Sequence, residues 1–275
     1  KIFELANNHI LKLEGEEAKP MELLVKYEHV FSRFHRTAIH PLIEKGISNG
    51  EDFLENFFTE KWGSDKSCLI VCNTVNRSID IFYTVNSHIL KEELQNQVYY
   101  LSTNIAPCER LFIIEQIKRD LKHRKNPILI STQSVEAGVD LDFDMGFRDL
   151  GPIDSIIQIA GRINRNNDSQ KKYSPLYILR FINEKEKSDC ESVYDEITEQ
   201  QAIKALKKSS DQFSNEIKEP EYLNLVDEYY SLMTNKKTSF DSSLKFFKSM
   251  KTLKYDGEKE DYPVSQFKII EDKGY

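Results

Sequence analysis

The nine residues SCLIVCNTV, at positions 67–75, are the best single indication of how this chain folds. The apolar run at 68–72 has the length of a strand and shows no alternation of polar and apolar residues. Unbroken apolarity is typical of a strand buried on both faces of a parallel sheet. The run ends in the polar pair Asn73 and Thr74, which predicts that the strand ends at a carboxyl edge, where α/β proteins bind ligands.

The same pattern of strand, polar pair and helix continues along the chain. Strands that alternate with helices predict an α/β fold with a doubly wound parallel sheet. The basic stretch RFHRTAIH at 33–40 is instead interpreted as a solvated loop or an edge strand. The other predicted strands are QVYYLST at 97–103, NPILIST at 126–132 and SPLYILRFI at 174–182, and the predicted helices are GEDFLENFFTEKW at 50–62, RSIDIFYTVNSHIL at 77–90, PCERLFIIEQIKRDL at 107–121 and IDSIIQIAGRINR at 153–165.

Composition limits the classes of protein to which the chain can belong. No run of about 18 uncharged apolar residues is present, so we expect no membrane partner. The four cysteines form no CxxC pair, which favours a reduced, cytoplasmic protein without structural zinc or another metal site. The net charge of −7 argues against a protein that coats nucleic acid through bulk positive charge. Any contact with nucleic acid must therefore be local.

The charge pattern divides the chain into three predicted parts. Residues 1–20 end in EGEEAKP and are interpreted as a linker or the end of a preceding domain. Residues 21–183 contain the alternating strands and helices of the sheet domain. Residues 184–275 are highly charged and helical by pattern, with a break at Pro220, so we predict a helical appendage that leads to a truncated C-terminal domain.

The segment STQSVEAGVDLDF at 131–143 is the first candidate for chemistry. A buried strand brings Thr132 to the carboxyl edge of the sheet. The chain then turns through Gly138, and a glycine allows an unusual backbone conformation or a close approach of the backbone. Asp140 and Asp142 follow in an apolar setting. Taken alone, this pattern fits equally well a loop in which an aspartate caps the next helix.

The segment QIAGRINR at 158–165 is the second candidate. If the helix continues to 165, Arg162 and Arg165 project from nearly the same face, because residues three apart are helix neighbours. Two guanidinium forks from one turn can hold a terminal phosphate. The alternative is that one arginine forms a structural salt bridge with Asp140, Asp142 or Asp149.

These two segments carry a family resemblance. STQSVEAGVDLDF resembles motif V, and QIAGRINR resembles motif VI, of the second RecA-like domain of superfamily 2 helicases. Together with VCNTV and the run GPIDSIIQIAGRINR, they are similar to the CRISPR-associated helicase–nuclease of type I systems. Gln133 and Ala137 differ from the residues usual in DEAD-box proteins. The resemblance covers about 31–180, so it implies that 21–183 is a second RecA-like domain with motifs IV, V and VI.

The resemblance implies a role for each candidate residue. Arg162 and Arg165 would be catalytic arginine fingers that reach ATP bound mainly on a first RecA-like domain. Gln158, Gly138 and Asp140 would contact the nucleotide. The residues implied to bind the backbone of single-stranded DNA are Thr132, Asn73, Thr74 and Ser102.

Several motifs of a complete motor do not occur in this sequence. It has no G-x-x-x-x-G-K-[ST] phosphate loop, no D-E-x-[HD] motif for Mg²⁺ and no His-Asp pair of a nuclease. We therefore expect the chain alone to be inactive. The resemblance implies a 3′→5′ single-stranded DNA translocase that uses ATP and Mg²⁺. It also implies three partners: a first RecA-like domain, a nuclease domain with its own divalent metal, and an RNA-guided surveillance complex.

Two other functions stay open at the level of sequence. The chain could belong to another superfamily 2 helicase that acts on RNA or duplex DNA, with the same fold. It could also be a RecA-like binding module that docks a partner and hydrolyses nothing.

Overall fold

The computed structural model describes residues 34–135, 140–167, 173–212, 215–234, 240–257 and 264–266. In these residues one sheet has the strand order β3-β4-β2-β5-β6-β1-β7. Its strand pairs are parallel except for β7, which is antiparallel to β1. The predicted α/β fold with a parallel sheet is confirmed. The strands are β1 (Thr37–Ile47), β2 (Cys68–Val71), β3 (Val98–Leu101), β4 (Ile128–Ser131), β5 (Met145–Asp149), β6 (Ser174–Phe181) and β7 (Ile217–Lys218).

The helices lie where the periodicity predicts them, with one important exception. The helix predicted at 153–165 ends at Ala160, so Arg162 and Arg165 are not helical. The helices are α1 (Gly50–Phe53), which continues through a π-helical turn (Leu54–Phe58) into α2 (Thr59–Lys61), then α3 (Val75–Lys91), α4 (Pro107–Lys122), α5 (Ile153–Ala160), α6 (Asp189–Val193), α7 (Glu196–Gln212), α8 (Tyr222–Thr234) and α9 (Phe240–Lys251). Short 3₁₀ turns occur at Gln133–Val135, Glu219–Glu221 and Val264–Gln266.

Two strands differ from the sequence prediction. The stretch at 33–40 contributes the start of β1, which lies between β6 and β7 with Ala38 and Ile39 buried. Strand β5 was not predicted at all, although it lies between β2 and β6. Its sequence, MGFRD, ends in two charged residues, and both Arg148 and Asp149 are buried. Hydrophobic patterning does not identify a strand whose charged residues find partners inside the protein.

The core on one side of the sheet is rich in aromatic side chains. The ring of Phe53 packs edge-on against that of Phe147, with centroids 5.2 Å apart. Tyr177 stacks on Phe147 at 5.3 Å. All residues of β2 and β4 are buried. Close packing of this kind holds the carboxyl ends of the strands in fixed positions.

The compact unit that contains the sheet continues beyond the predicted boundary at 183/184. It extends to Asp227 and includes α6, α7 and β7. Arg180 of β6 donates to Glu199 of α7 (2.8 Å), and the hydroxyls of Thr37 and Tyr222 are 2.9 Å apart. A second unit begins at Glu228. The proposed appendage is mostly helical, but β7 makes part of it an extension of the sheet.

The second unit contains α9, and Ser265 of the following 3₁₀ turn donates its N–H to the carbonyl of Tyr255 (2.9 Å). The predicted linker at 1–20 lies outside the described residues. No helix of the described residues is long and apolar enough to cross a membrane.

Candidate functional site

The four residues predicted to bind DNA follow the carboxyl ends of three adjacent parallel strands, and we call this region the polar sheet edge. Because β3, β4 and β2 are adjacent and parallel, Leu101, Ser131 and Val71 are in register at their ends. The Thr132 N–H donates to the Leu101 carbonyl (3.2 Å). The structure thus brings together Asn73, Thr74, Ser102 and Thr132.

The side chains of these four residues are largely engaged within the protein. Ser102 is fully buried and accepts the N–H of Asn104 (3.3 Å), and Thr132 is only 3% exposed. Thr74 is half-buried and caps α3, because its hydroxyl accepts the N–H of Arg77 (3.2 Å). Their role in DNA binding stays a prediction. It would rely on the half-buried Thr74 hydroxyl more than on the buried side chains.

Asn73 belongs to a buried polar network. Its amide nitrogen donates to the Leu150 carbonyl (2.6 Å), and its amide oxygen accepts from the Arg148 guanidinium (2.6 Å). Arg148 is completely buried and also donates to the hydroxyl of Ser155 (3.0 Å). These bonds join the end of β2 to β5 and α5. A contact between the Asn73 amide and DNA would require that they break.

Asp149 is the second buried charge of β5. Its carboxylate accepts the N–H groups of Asn73 and Phe181, both at 3.3 Å. Burial raises the pKa of Asp149 to about 7, although Arg148 acts in the opposite direction. This network was missed by sequence reasoning. A possible signal was an Arg-Asp pair directly after an apolar strand segment.

The arginines of the second candidate segment lie on a turn that we call the arginine loop (residues 161–167). Helix α5 ends at Gly161, after which the Arg162 N–H donates to Ile159 (2.8 Å) and the Ile163 N–H donates to Ala160 (3.0 Å). These i→i+3 bonds tighten the chain so that it leaves the helix. The prediction that both arginines share one helical face is therefore wrong, because neither arginine lies in the helix.

The arginine loop is attached to the segment 140–143. Phe143 and Ile163 form an isolated parallel bridge, in which Phe143 donates its N–H to Arg162 (3.0 Å). The N–H of Asn164 donates back to the Phe143 carbonyl (2.8 Å). Asn164 adopts a left-handed backbone with φ of 46°, a conformation that asparagine tolerates better than most residues. The two candidate segments are thus one structural unit.

The two arginine side chains lie in the same electrostatic environment. Arg165 forms an ion pair with Asp140 (3.2 Å), which is the salt bridge that we considered as an alternative. The side chains of Arg165 and Asp140 are 40% and 79% exposed. Burial, and then the positive charge of Arg165, lower the pKa of Arg162. Two neighbouring cations suit an anion such as a phosphate.

Gln158 and Gly138 are the two remaining candidate residues. Gln158 is exposed on the last turn of α5, next to the arginine loop. Gly138 lies outside the described residues. Among the described residues, no group of three or more His, Cys, Asp or Glu side chains is placed to hold a metal ion.

A family model matches the part of the chain that contains this site. Residues 64–168 match the family "CRISPR-associated nuclease/helicase Cas3, C-terminal". This segment of the chain is similar to the C-terminal part of Cas3 proteins. The family resemblance found in the sequence is confirmed, and the matched residues include both the polar sheet edge and the whole arginine loop.

The curated relatives of this chain are much longer than the chain itself. The CRISPR-associated nuclease/helicase Cas3 of Methanothermobacter thermautotrophicus is 34% identical over 134 residues, which are 46% of this chain and 15% of that protein. The chain therefore spans a small part of the relatives it matches.

Solved Cas3 structures share the α/β fold of this chain, which matches their RecA-like domain. The crystal structure of T. fusca Cas3 with ATP matches with a TM-score of 0.59 and 21% identity, over 72% of this chain and 24% of that one. A chain of the "CRISPR RNA-guided surveillance complex, pre-nicking" matches with a TM-score of 0.56 and 18% identity, over 76% of this chain and 27% of that one.

Proposed function

We propose that this domain is the second motor domain of an ATP-dependent single-stranded DNA translocase that serves CRISPR antiviral defence. The observation that supports this most directly is the arginine loop, which presents two neighbouring guanidinium groups from a rigid turn. The relatives are nuclease/helicase proteins. By analogy, the complete protein would move 3′→5′ and feed the strand to a metal-dependent nuclease domain.

In this proposal Arg162 and Arg165 are catalytic. ATP, held mainly with Mg²⁺ by a first RecA-like domain, supplies the phosphoryl group that is transferred to water. The two guanidinium groups donate to its oxygens and stabilise the negative charge of the transition state. Gln158, Asp140 and Gly138 would contact the rest of the nucleotide.

Arg165 has to leave Asp140 before it can reach a phosphate. The ion pair is largely exposed, and exposed pairs of this kind contribute at most about 1 kcal/mol. Exchange of one carboxylate for several phosphate oxygens is therefore favourable. Asp140 keeps the arginine close to its position of action until the nucleotide arrives.

The sheet edge would hold the DNA in the same cycle. The Thr74 hydroxyl suits a contact with a phosphate, which positions a strand without reading its bases. The Arg148 network connects this edge to α5, the helix that precedes the arginine loop. Closure of the two motor domains on ATP would thereby change the grip on the strand. The surveillance complex would supply the strand by opening its target duplex.

The proposal is tested with DNA-stimulated ATP hydrolysis by the full-length protein that contains this chain. Loss of a finger of this type costs roughly 10³- to 10⁵-fold in turnover, so Arg165→Ala and Arg162→Ala should each abolish most activity. Arg165→Lys should recover little, because lysine lacks the planar fork. The matched control is Arg119→Ala, an exposed arginine of α4, which should behave as wild type.

Two results would contradict the proposal. If Arg165→Ala and Arg162→Ala keep wild-type turnover with DNA binding intact, Arg165 and Asp140 are a structural salt bridge, and a binding module becomes the better reading. The chain alone should hydrolyse no ATP above background. Robust Mg²⁺-dependent turnover by the chain alone would show that the nucleotide site is complete without a first domain.

A further inference from the structure

Asp142 makes an unusual set of contacts with the arginine loop. One carboxylate oxygen accepts the backbone N–H of Arg165 (2.7 Å). The other accepts the backbone N–H of Asn166 (3.1 Å) and the side-chain amide of Asn166 (2.8 Å). Three donors from two consecutive residues thus converge on one side chain. Hydrogen bonds to a charged acceptor are stronger than those between neutral groups.

These bonds fix the backbone from which the Arg165 side chain projects. Phe143, the next residue after Asp142, is bonded to Arg162 and Asn164 on the other side of the loop. The loop is therefore held at both its beginning and its end by two consecutive residues. Since Asn164 and Asn167 have left-handed backbones, the turn has little freedom to shift without losing these bonds.

The two aspartates of the segment have different tasks. Asp140 contacts the guanidinium group of Arg165 and has to release it during the reaction. Asp142 contacts only the backbone amide of that arginine in the bonds described, so its contacts persist while the side chain exchanges partners. Because Asp142 binds the backbone of Arg165, the guanidinium group of Arg165 stays available for a phosphate.

We propose that Asp142 is a positioning residue that aims Arg165 at the transferred phosphoryl group. This rests on the proposed function, because it assumes that Arg165 acts on a nucleotide. The advantage is that the cost of ordering the loop is met during folding and not at each turnover. Displacement of a catalytic group by about 1 Å can cost on the order of 100-fold in rate.

The test is Asp142→Asn in the full-length protein. An amide has only one acceptor oxygen, so its NH₂ group faces one of the loop N–H groups in either orientation. We expect DNA-stimulated kcat to fall about 10- to 100-fold, with little change in the affinity for ADP. Affinity for ADP with aluminium fluoride, which resembles the transition state, should fall by a similar factor.

Asp144→Asn is the matched control, because Asp144 is also an aspartate that accepts several bonds. Its carboxylate accepts the N–H (2.8 Å) and the hydroxyl (2.6 Å) of Ser67. Those donors belong to the start of β2 and not to the arginine loop. A merely structural role for Asp142 predicts that both variants lose thermal stability and that both keep kcat. A positioning role predicts that only Asp142→Asn loses kcat at a temperature where both proteins are folded.

Three outcomes separate this inference from the proposed function. If Arg165→Ala abolishes turnover and folded Asp142→Asn keeps wild-type kcat, the positioning role is overturned while the finger stands. If Arg165→Ala itself has no effect, the proposed function fails. Should Asp142→Asn not fold, Asn166→Ala removes only the side-chain donor; it should lower kcat about 2- to 5-fold, and an unchanged kcat would overturn the inference.

Discussion

At the scale of single residues, the buried charges of β5 explain why the polar sheet edge is rigid. Arg148 and Asp149 are both buried, and both bind Asn73. A buried charge is costly unless it is paired and hydrogen-bonded. The network therefore persists only as a whole, and it fixes the end of β2 relative to β5.

Asp149→Asn should change how stability depends on pH. The pKa of Asp149 is about 7 in the folded protein and about 3.9 in an unfolded chain. Between these values the folded state holds a proton that the unfolded state lacks, so the free energy of unfolding falls as pH rises. The slope from this group is about 1 kcal/mol per pH unit and vanishes above about pH 8. Asparagine does not titrate and removes this slope.

The measurement is urea unfolding of both proteins between pH 5 and pH 8. Wild type should gain stability relative to Asp149→Asn as the pH is lowered through this range. Asp154→Asn changes an exposed aspartate of α5 and should keep the wild-type profile. Parallel profiles for wild type and Asp149→Asn would show that Asp149 is ionised throughout.

At the scale of elements, the sequence predicts what local patterns determine. Continuous apolar runs identify β2, β3 and β4, and periodicity identifies α3 and α4. Sequence periodicity fails at the arginine loop. The hydrogen bonds that bend the chain after α5 are made partly with Phe143, which lies twenty residues before Ile163. No local pattern contains that contact. The candidate residues could be named nevertheless, since family motifs fix residue types rather than their conformation, and their roles stay a prediction.

Gly146 connects the central strand to the arginine loop. A Cβ atom at this position would lie 3.0 Å from the Leu69 carbonyl oxygen and 3.1 Å from Cδ1 of Ile163. The carbonyl belongs to β2 and cannot move easily, so the added methyl strains the pairing of β2 with β5, and the Ile163 side chain has to shift as well. Gly146→Ala should lower the free energy of unfolding by about 1–3 kcal/mol. It should also displace Ile163 and reduce turnover of the full-length protein.

Gly63→Ala is the control for this substitution. Its Cβ would meet only the carboxylate end of Asp65, a side chain that can rotate away. Chemical denaturation should show a change within about 0.5 kcal/mol. Equal stability of Gly146→Ala and wild type would mean that β2 and β5 can separate slightly at no cost.

At the scale of the whole molecule, the sheet depends on chain segments that follow β6. Strand β7 pairs with β1, and the Arg77 side chain donates to Asp189 of α6 (3.0 Å). Several apolar residues after 183 are fully buried in the same compact unit. They are Cys190, Ala202, Ala205, Leu206, Ile217 and Leu225.

A pair of truncations tests this dependence. A chain that ends at Thr234 keeps the whole first unit and should unfold cooperatively, with a melting temperature within a few degrees of the full chain. A chain that ends at Asn183 loses these buried side chains and exposes the face that they cover. It should be insoluble or lack a cooperative transition. Equal melting temperatures for the two truncated chains would show that residues after 183 do not contribute to the stability of the sheet.

The attachment of the arginine loop to residues 140–143 has a consequence for exchanging parts between relatives. The loop has no free-standing conformation, since its bonds go to Asp142 and Phe143, and Asn164 also donates to the Arg36 carbonyl (3.2 Å). In a chimera that takes only residues 161–167 from a relative, the loop would lack the residues that its hydrogen bonds require. Residues 140–143 and 161–167 should therefore be exchanged together. A substitution in one segment should be tolerated only with a matching substitution in the other.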